Sequence, residues 1–120
     1  MAQAFQDLLV WQRAIEMTVV VYELTQIFPQ SELYGLTSQL RRAAVSVASN
    51  IAEGRGRLTQ GEFKQFLGLA QGSNYEVQTQ LIVARQLKFG NTDSLGKAEG
   101  LSIEVAKMLS SLIASLSAKS

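Results

Sequence analysis

Apolar residues recur along this chain at steps of three and four in four separate segments, which is the period of amphipathic helices and not of strands. In the first segment Leu8, Trp11, Ile15, Tyr22 and Phe28 share one side, predicting a helix over about residues 6–28. Pro29 is expected to close it at Phe28, because a proline drives the residue before it out of the helical region. The second segment takes Leu36, Leu40, Val47 and Ile51 as its stripe, with Ala43 and Ala44 as strong helix formers, over about 33–54. Gly54 and Gly56 are read as a left-handed cap at its end, and Thr59 with Glu62 as a capping box that opens the third helix. That helix, about 60–89, carries Phe63, Leu67, Ala70, Asn74, Val77, Leu81 and Ala84 as a heptad seam with one polar member. Gly90 and Asn91 end it. A fourth stripe of Leu101, Val105, Met108, Leu112 and Leu116 predicts a helix over about 95–117, its start blurred by Gly96 and Gly100 and the end from Ser115 to Ser120 expected to fray.

Four such helices with short connections predict an all-α fold, an antiparallel up-and-down four-helix bundle spanning residues 1–120 as one domain. The apolar faces are wider than one core needs. Helix four has a second stripe of Ala106, Leu109 and Ile113, and helix one has Val19 and Val20 off its main line. The chain is 47% hydrophobic and 18% charged, against about 25% charged in an average soluble domain. Either these residues only widen the one core, or, the favoured reading, they form a further contact surface between subunits and hence a homo-oligomer.

Composition then removes whole classes of chemistry. With no cysteine and no histidine, a disulfide framework, a thiolate nucleophile, an imidazole base and a zinc site of the usual ligands are excluded. No charged leader precedes a long apolar segment, and uninterrupted apolar runs such as Val19 to Val21 are short, none longer than four residues, so neither a signal peptide nor a membrane span is expected, and the location expected is the cytoplasm. A net charge of +1 gives a weak overall field, so polyanion binding needs a local patch.

Five of the eleven basic residues, Arg41, Arg42, Arg55, Arg57 and Lys64, are read as such a patch, in or beside the turn between helices two and three, with Glu53 and Glu62 nearby. No aromatic residue interleaves with the four arginines in sequence, which argues against base stacking. Gln39, Arg42, Ser46, Asn50 and Glu53 form a polar stripe beside the apolar seam of helix two, either a network such as Arg42 with Glu53 or a solvated face. Gly68 and Gly72 lie one turn apart inside helix three and are expected to let Ala44 and Ala48 of helix two approach closely. Glu53 and Glu76 could approach each other across helices two and three, and without imidazoles or further acids they make a poor metal site. No cofactor is expected and no catalytic residue is assigned.

Leu36 to Gln39, Arg42 with Ala43 and Ala44, Ser46, and the run Ser49 Asn50 Ile51 Ala52 Glu53 Gly54 resemble the four-helix bundle proteins of the ribosomal RNA intervening-sequence family, read from within bacterial large-subunit ribosomal RNA genes. Phe5, Leu8 and Trp11, then Phe28 and Pro29 before Glu32, then Ala70, Gly72, Ser73 and Glu76 extend the resemblance over nearly the whole chain. It implies an antiparallel bundle assembling into a ring, commonly of five subunits, related in architecture to the nucleic-acid-binding accessory proteins of diversity-generating retroelements. Two positions depart from the pattern. Ala48 stands where proline is usual, predicting a straighter helix two, and Asn74 stands where an apolar residue is usual, placing a polar group in the seam.

The function expected is therefore a non-catalytic homo-oligomer, which the resemblance makes a pentamer, whose positive end holds structured RNA or DNA. The alternative is a scaffold that binds protein alone.

Overall fold

The computed structural model describes residues 4–118. A 3₁₀ turn over Phe5–Asp7 leads into α1, Leu9–Thr25, and a second 3₁₀ turn over Gln30–Glu32 leads into α2, Leu36–Arg55. Two long helices follow, α3, Gln60–Leu87, and α4, Thr92–Ala118. Among the described residues there is no strand, and the four helices pack as a bundle measuring 46 × 21 × 20 Å.

The helix ends differ from the periodicity by a few residues, each for a local reason. α1 stops at Thr25 and not at Phe28, because a helix continuing to Pro29 would press the proline ring against the Thr25 carbonyl four residues back. The Thr25 hydroxyl meanwhile donates to the Val21 carbonyl at 2.8 Å. Phe28 turns inward instead and meets the Phe89 ring at 5.7 Å. α2 starts at Leu36 and not at 33, where the Glu32 carboxylate accepts from the Leu36 amide at 3.1 Å. Its last turn closes on Gly56 at φ −83°, so the left-handed cap expected there does not form.

α3 opens as expected, with the Thr59 hydroxyl accepting from the Glu62 amide at 3.1 Å. It ends at Leu87, two residues early, on Lys88 at φ 60°. Gly90, at φ 81°, then passes so close to α1 that a Cβ there would lie 2.6 Å from Leu24 Cδ1. α4 begins at Thr92 and not 95, because the Asn91 side chain accepts from the amides of Asp93 and Ser94 at 2.8 and 3.1 Å and caps the helix ahead of Gly96 and Gly100. Helix continues through Ala118, so Ser115 to Ala118 do not fray, and Lys119 and Ser120 lie outside the described residues. α2 runs unbroken through Ala48.

Inter-helix contacts define the arrangement. Thr18 of α1 donates to the Ala44 carbonyl of α2, Ser46 of α2 bonds Ser73 of α3, and Gln71 of α3 donates to the Ala106 carbonyl of α4. Arg85 of α3 grips Glu99 of α4 through two hydrogen bonds at 3.0 and 2.6 Å. That carboxylate raises the Arg85 pKa, first by hydrogen bonding and then by charge. Arg13 of α1 meets Glu104 of α4 as a charge contact at 2.7 Å without an aligned hydrogen bond. α1 touches α2 and α4, α3 touches the same two, and α1 and α3 face each other only across the diagonal.

The core confirms the seam of α3, where Leu67, Ala70, Val77, Leu81 and Ala84 are fully buried. On α1 the buried face is rotated from the predicted one. Val10, Ala14, Met17, Val21 and Leu24 fill the core, while Ile15 and Tyr22 reach solvent. On α4, Leu109 belongs to the core and not to a second surface stripe. An 18-residue stretch within α4 reaches a mean hydropathy of 1.4, enough by length and composition alone to cross a membrane, which runs of apolar residues did not reveal; 22% of that stretch is buried in the bundle.

Asn74 is completely buried, and both polar atoms of its side chain have a partner. Its Nδ2 donates to the Ser102 carbonyl at 2.9 Å, and its Oδ1 accepts from the Ser102 hydroxyl at 2.8 Å. Asn74→Ala should cost about 1–3 kcal/mol in urea unfolding, because the Ser102 groups lose their partner in an apolar setting. Ser102→Ala in the same background should add much less than it does alone, a coupling that a double-mutant cycle measures directly.

Candidate functional site

The polar stripe of α2 and the matching residues of α3 meet along the groove between these two helices. Ser46 and Ser73 share a hydrogen bond at 2.8 Å, and Asn50 donates to the Ser46 carbonyl and hydroxyl at 2.9 and 3.0 Å. These three residues form a chain that ties α2 to α3. Further along the groove Gln39, Arg42, Ser46, Glu76 and Gln80 line an open cavity of about 340 Å³. Gln80 contributes a buried Oε1 without a hydrogen-bond partner, and no signal in the sequence distinguished it.

The Arg42 to Glu53 network does not form. The two lie eleven residues apart on one helix, roughly 16 Å of rise, and Glu53 pairs instead with Arg57 at 3.6 Å. The same spacing keeps Glu53 from Glu76, which lines the cavity beside Arg42. Among the described residues no group of three or more metal-ligating side chains occurs.

The five cations also part company. Arg41 and Arg42 sit in the first half of α2, while Arg55 closes that helix and Arg57 and Lys64 lie beyond it, so about 20 Å of helix rise separates the two groups. Arg41 belongs to the α1–α2 connection, where its Nε donates to the Thr25 hydroxyl at 2.7 Å. Only Arg55, Arg57 and Lys64 share the α2–α3 turn, together with Glu53, Glu62 and a Leu58 that is 97% exposed.

Aromatic rings, absent from the local sequence of the arginines, are supplied by α3 and α1. The Arg55 guanidinium lies 5.6 Å from the Phe63 centroid, Arg57 lies 4.6 Å from Phe66, and Arg41 lies 4.6 Å from Tyr22. Such stacking holds a guanidinium in place while leaving its edge free to donate. The spacing of Phe63 and Phe66 opposite the end of α2 could have signalled this once the two helices were paired.

Gly54 is the glycine that permits close packing. A Cβ there would lie 2.6 Å from Phe66 Cβ and 3.2 Å from the Phe63 ring, so α2 and α3 touch nearly backbone to backbone at this point. Gly68 and Gly72, the glycines expected to admit α2, have nothing within 4 Å of an added Cβ. They lie on the exposed side of α3 and do not receive Ala44 or Ala48.

The family model of the 23S rRNA-intervening sequence protein matches residues 6–111. The chain belongs to that family. Ser46, Asn50, Gly54 and Ser73, which carry the resemblance in sequence, lie where α2 meets α3, and Glu53 pairs with Arg57 at the end of α2. Among solved structures, the intervening-sequence chain superposes on a protein of unknown function from the S23 ribosomal protein family of Bacteroides thetaiotaomicron VPI-5482, with a TM-score of 0.78 and 19% identity over 88% of this chain and 98% of that one. This likeness shows the fold. No curated protein matches the sequence.

Gly54→Ala should destabilise this intervening-sequence protein by about 1–3 kcal/mol through overpacking against Phe66. Gly72→Ala, in open space within a helix, should stabilise it by roughly 0.5–1 kcal/mol. Paired urea titrations of the two variants read both signs in one experiment.

Proposed function

We propose that this protein is a non-catalytic, self-associating module: an antiparallel up-and-down bundle that assembles into a ring, commonly five-membered in proteins it resembles, in the cytoplasm. The antiparallel reading is supported by contacts whose residue numbers fall on one helix as they rise on its neighbour, as with 18 to 44 and 25 to 41, or 71 to 106 and 74 to 102. The observation that carries self-association is a pair of unlike apolar surfaces on opposite sides of the bundle. Between α1 and α2, Trp11, Ile15, Val45, Ala48 and Ala52 line a groove of about 220 Å³. Across the bundle Tyr75, Ile82 and Ile103 of α3 and α4 stand half exposed, at 52, 57 and 50%. A closed ring needs two different patches on each copy, and a single two-fold contact needs one.

The second component is a polyanion contact, structured RNA or DNA, at the α2–α3 turn. Arg55 and Arg57, braced on Phe63 and Phe66, favour it, and Lys64 adds a third charge. Repetition around a ring would multiply this modest local excess.

Light scattering after size exclusion should give a mass near five chains, and Val45→Asp or Ile103→Asp should each reduce it to one chain while circular dichroism stays helical. A single-chain mass for the unaltered protein at micromolar concentration would overturn the oligomer. Binding of an RNA hairpin should weaken steeply with salt and fall on changing Arg55 and Arg57 together to Ala with the mass unchanged; salt-independent binding, or none at low salt, would leave the scaffold reading in its place.

A further inference from the structure

Arg41, once separated from the other cations, stands at a cavity of its own. Thr25, Phe28, Pro29, Leu33, Thr37 and Arg41 are among the residues that enclose about 310 Å³ at the α1–α2 connection, within the size range of small-molecule sites. Three observations converge there. The Arg41 guanidinium is held on two sides, by its Nε bond to Thr25 at 2.7 Å and by the Tyr22 ring at 4.6 Å. It has no carboxylate partner among the described residues, so its two Nη groups are committed to nothing.

Thr37 lines the same cavity at 4% exposure, and its hydroxyl has no hydrogen bond among the described residues. Thr25, equally buried, spends its own proton on the Val21 carbonyl and presents its lone pair to Arg41. The cavity thus holds a fixed planar cation and an uncommitted buried donor. Phe28, Pro29 and Leu33 give it apolar walls.

A guanidinium whose Nε edge is already bonded retains the Nη edge, and that edge meets the two oxygens of a carboxylate. A hydroxyl beside it can donate to the same group, and the apolar walls suit a hydrocarbon body. We propose that this cavity binds a small organic carboxylate bearing an apolar group, the carboxylate on Arg41 and Thr37 and the apolar group against Phe28, Pro29 and Leu33. The site stands apart from the α2–α3 turn and does not depend on polyanion binding there.

The test is a titration of the full chain with 3-phenylpropionate, followed by NMR of the Arg41 Nε–H and the amides of Gln30 and Thr37. Saturable shifts at these groups are the expected result, with affinity lost on the order of tenfold in Arg41→Lys and a smaller loss in Thr37→Val. Two further probes separate the parts of the site. Should 3-phenylpropanamide shift the same signals with equal affinity, charge plays no role and the proposal fails. Equal affinity for inorganic phosphate would likewise overturn it, by showing that the apolar walls contribute nothing. Absence of saturation with the carboxylate, or undiminished affinity in an Arg41→Lys variant that melts like the parent, also sinks it.

Discussion

Where α2 ends, its backbone runs against Phe63 and Phe66 of α3 with no space for even one methyl group at Gly54. Much of the molecule follows from that approach. It sets the distance at which Ser46 can reach Ser73, and so the groove in which Asn50, Arg42 and Glu76 take their places. It also brings Phe63 and Phe66 under the guanidinium groups of Arg55 and Arg57, converting a short turn with mixed charge into one with two oriented cations. Ser46, Asn50, Gly54 and Ser73 are in this sense structural, fixing how α2 lies on α3 and so where Arg55 and Arg57 stand.

The polar groups of the interior obey a stricter rule than those of the surface. Thr18, Thr25, Gln71, Asn74 and Ser102 each reach a backbone carbonyl or another side chain across or along the helices, which is what burial of a polar atom demands. The exceptions among the described residues are single oxygens, Oε1 of Gln71, Gln80 and Glu104, of which Gln80 lines the α2–α3 cavity.

Four helices were legible in the spacing of apolar residues, and α3 was legible residue by residue, because a seven-residue repeat leaves only one face that can be buried. α1 was not. Its apolar residues surround most of the helix, so Ile15 and Tyr22 compete with Met17 and Val21 on equal terms, and only the positions of α2 and α4 decide which go inside. Boundaries shifted where side chains cap or block, at Glu32, Asn91 and Pro29, effects that apolar period does not encode. The candidate patch was the least legible part. Nearness in sequence placed Arg41 and Arg42 beside Arg55, whereas a helix turns fourteen residues into about 20 Å of distance.

Asn74 carries one more implication. Were α4 to slip along α3 by one helical turn, Ala98 or Ala106 would arrive where Ser102 now stands, and neither has a hydroxyl to offer. The apolar contacts of the two helices would be largely interchangeable after such a slip, since leucine, valine and alanine are forgiving partners. The amide would not. Asn74, together with Gln71 on Ser110 and Arg85 on Glu99, therefore acts as a key cut for one alignment of the two longest helices, and which side chains ride at each pole follows from that key.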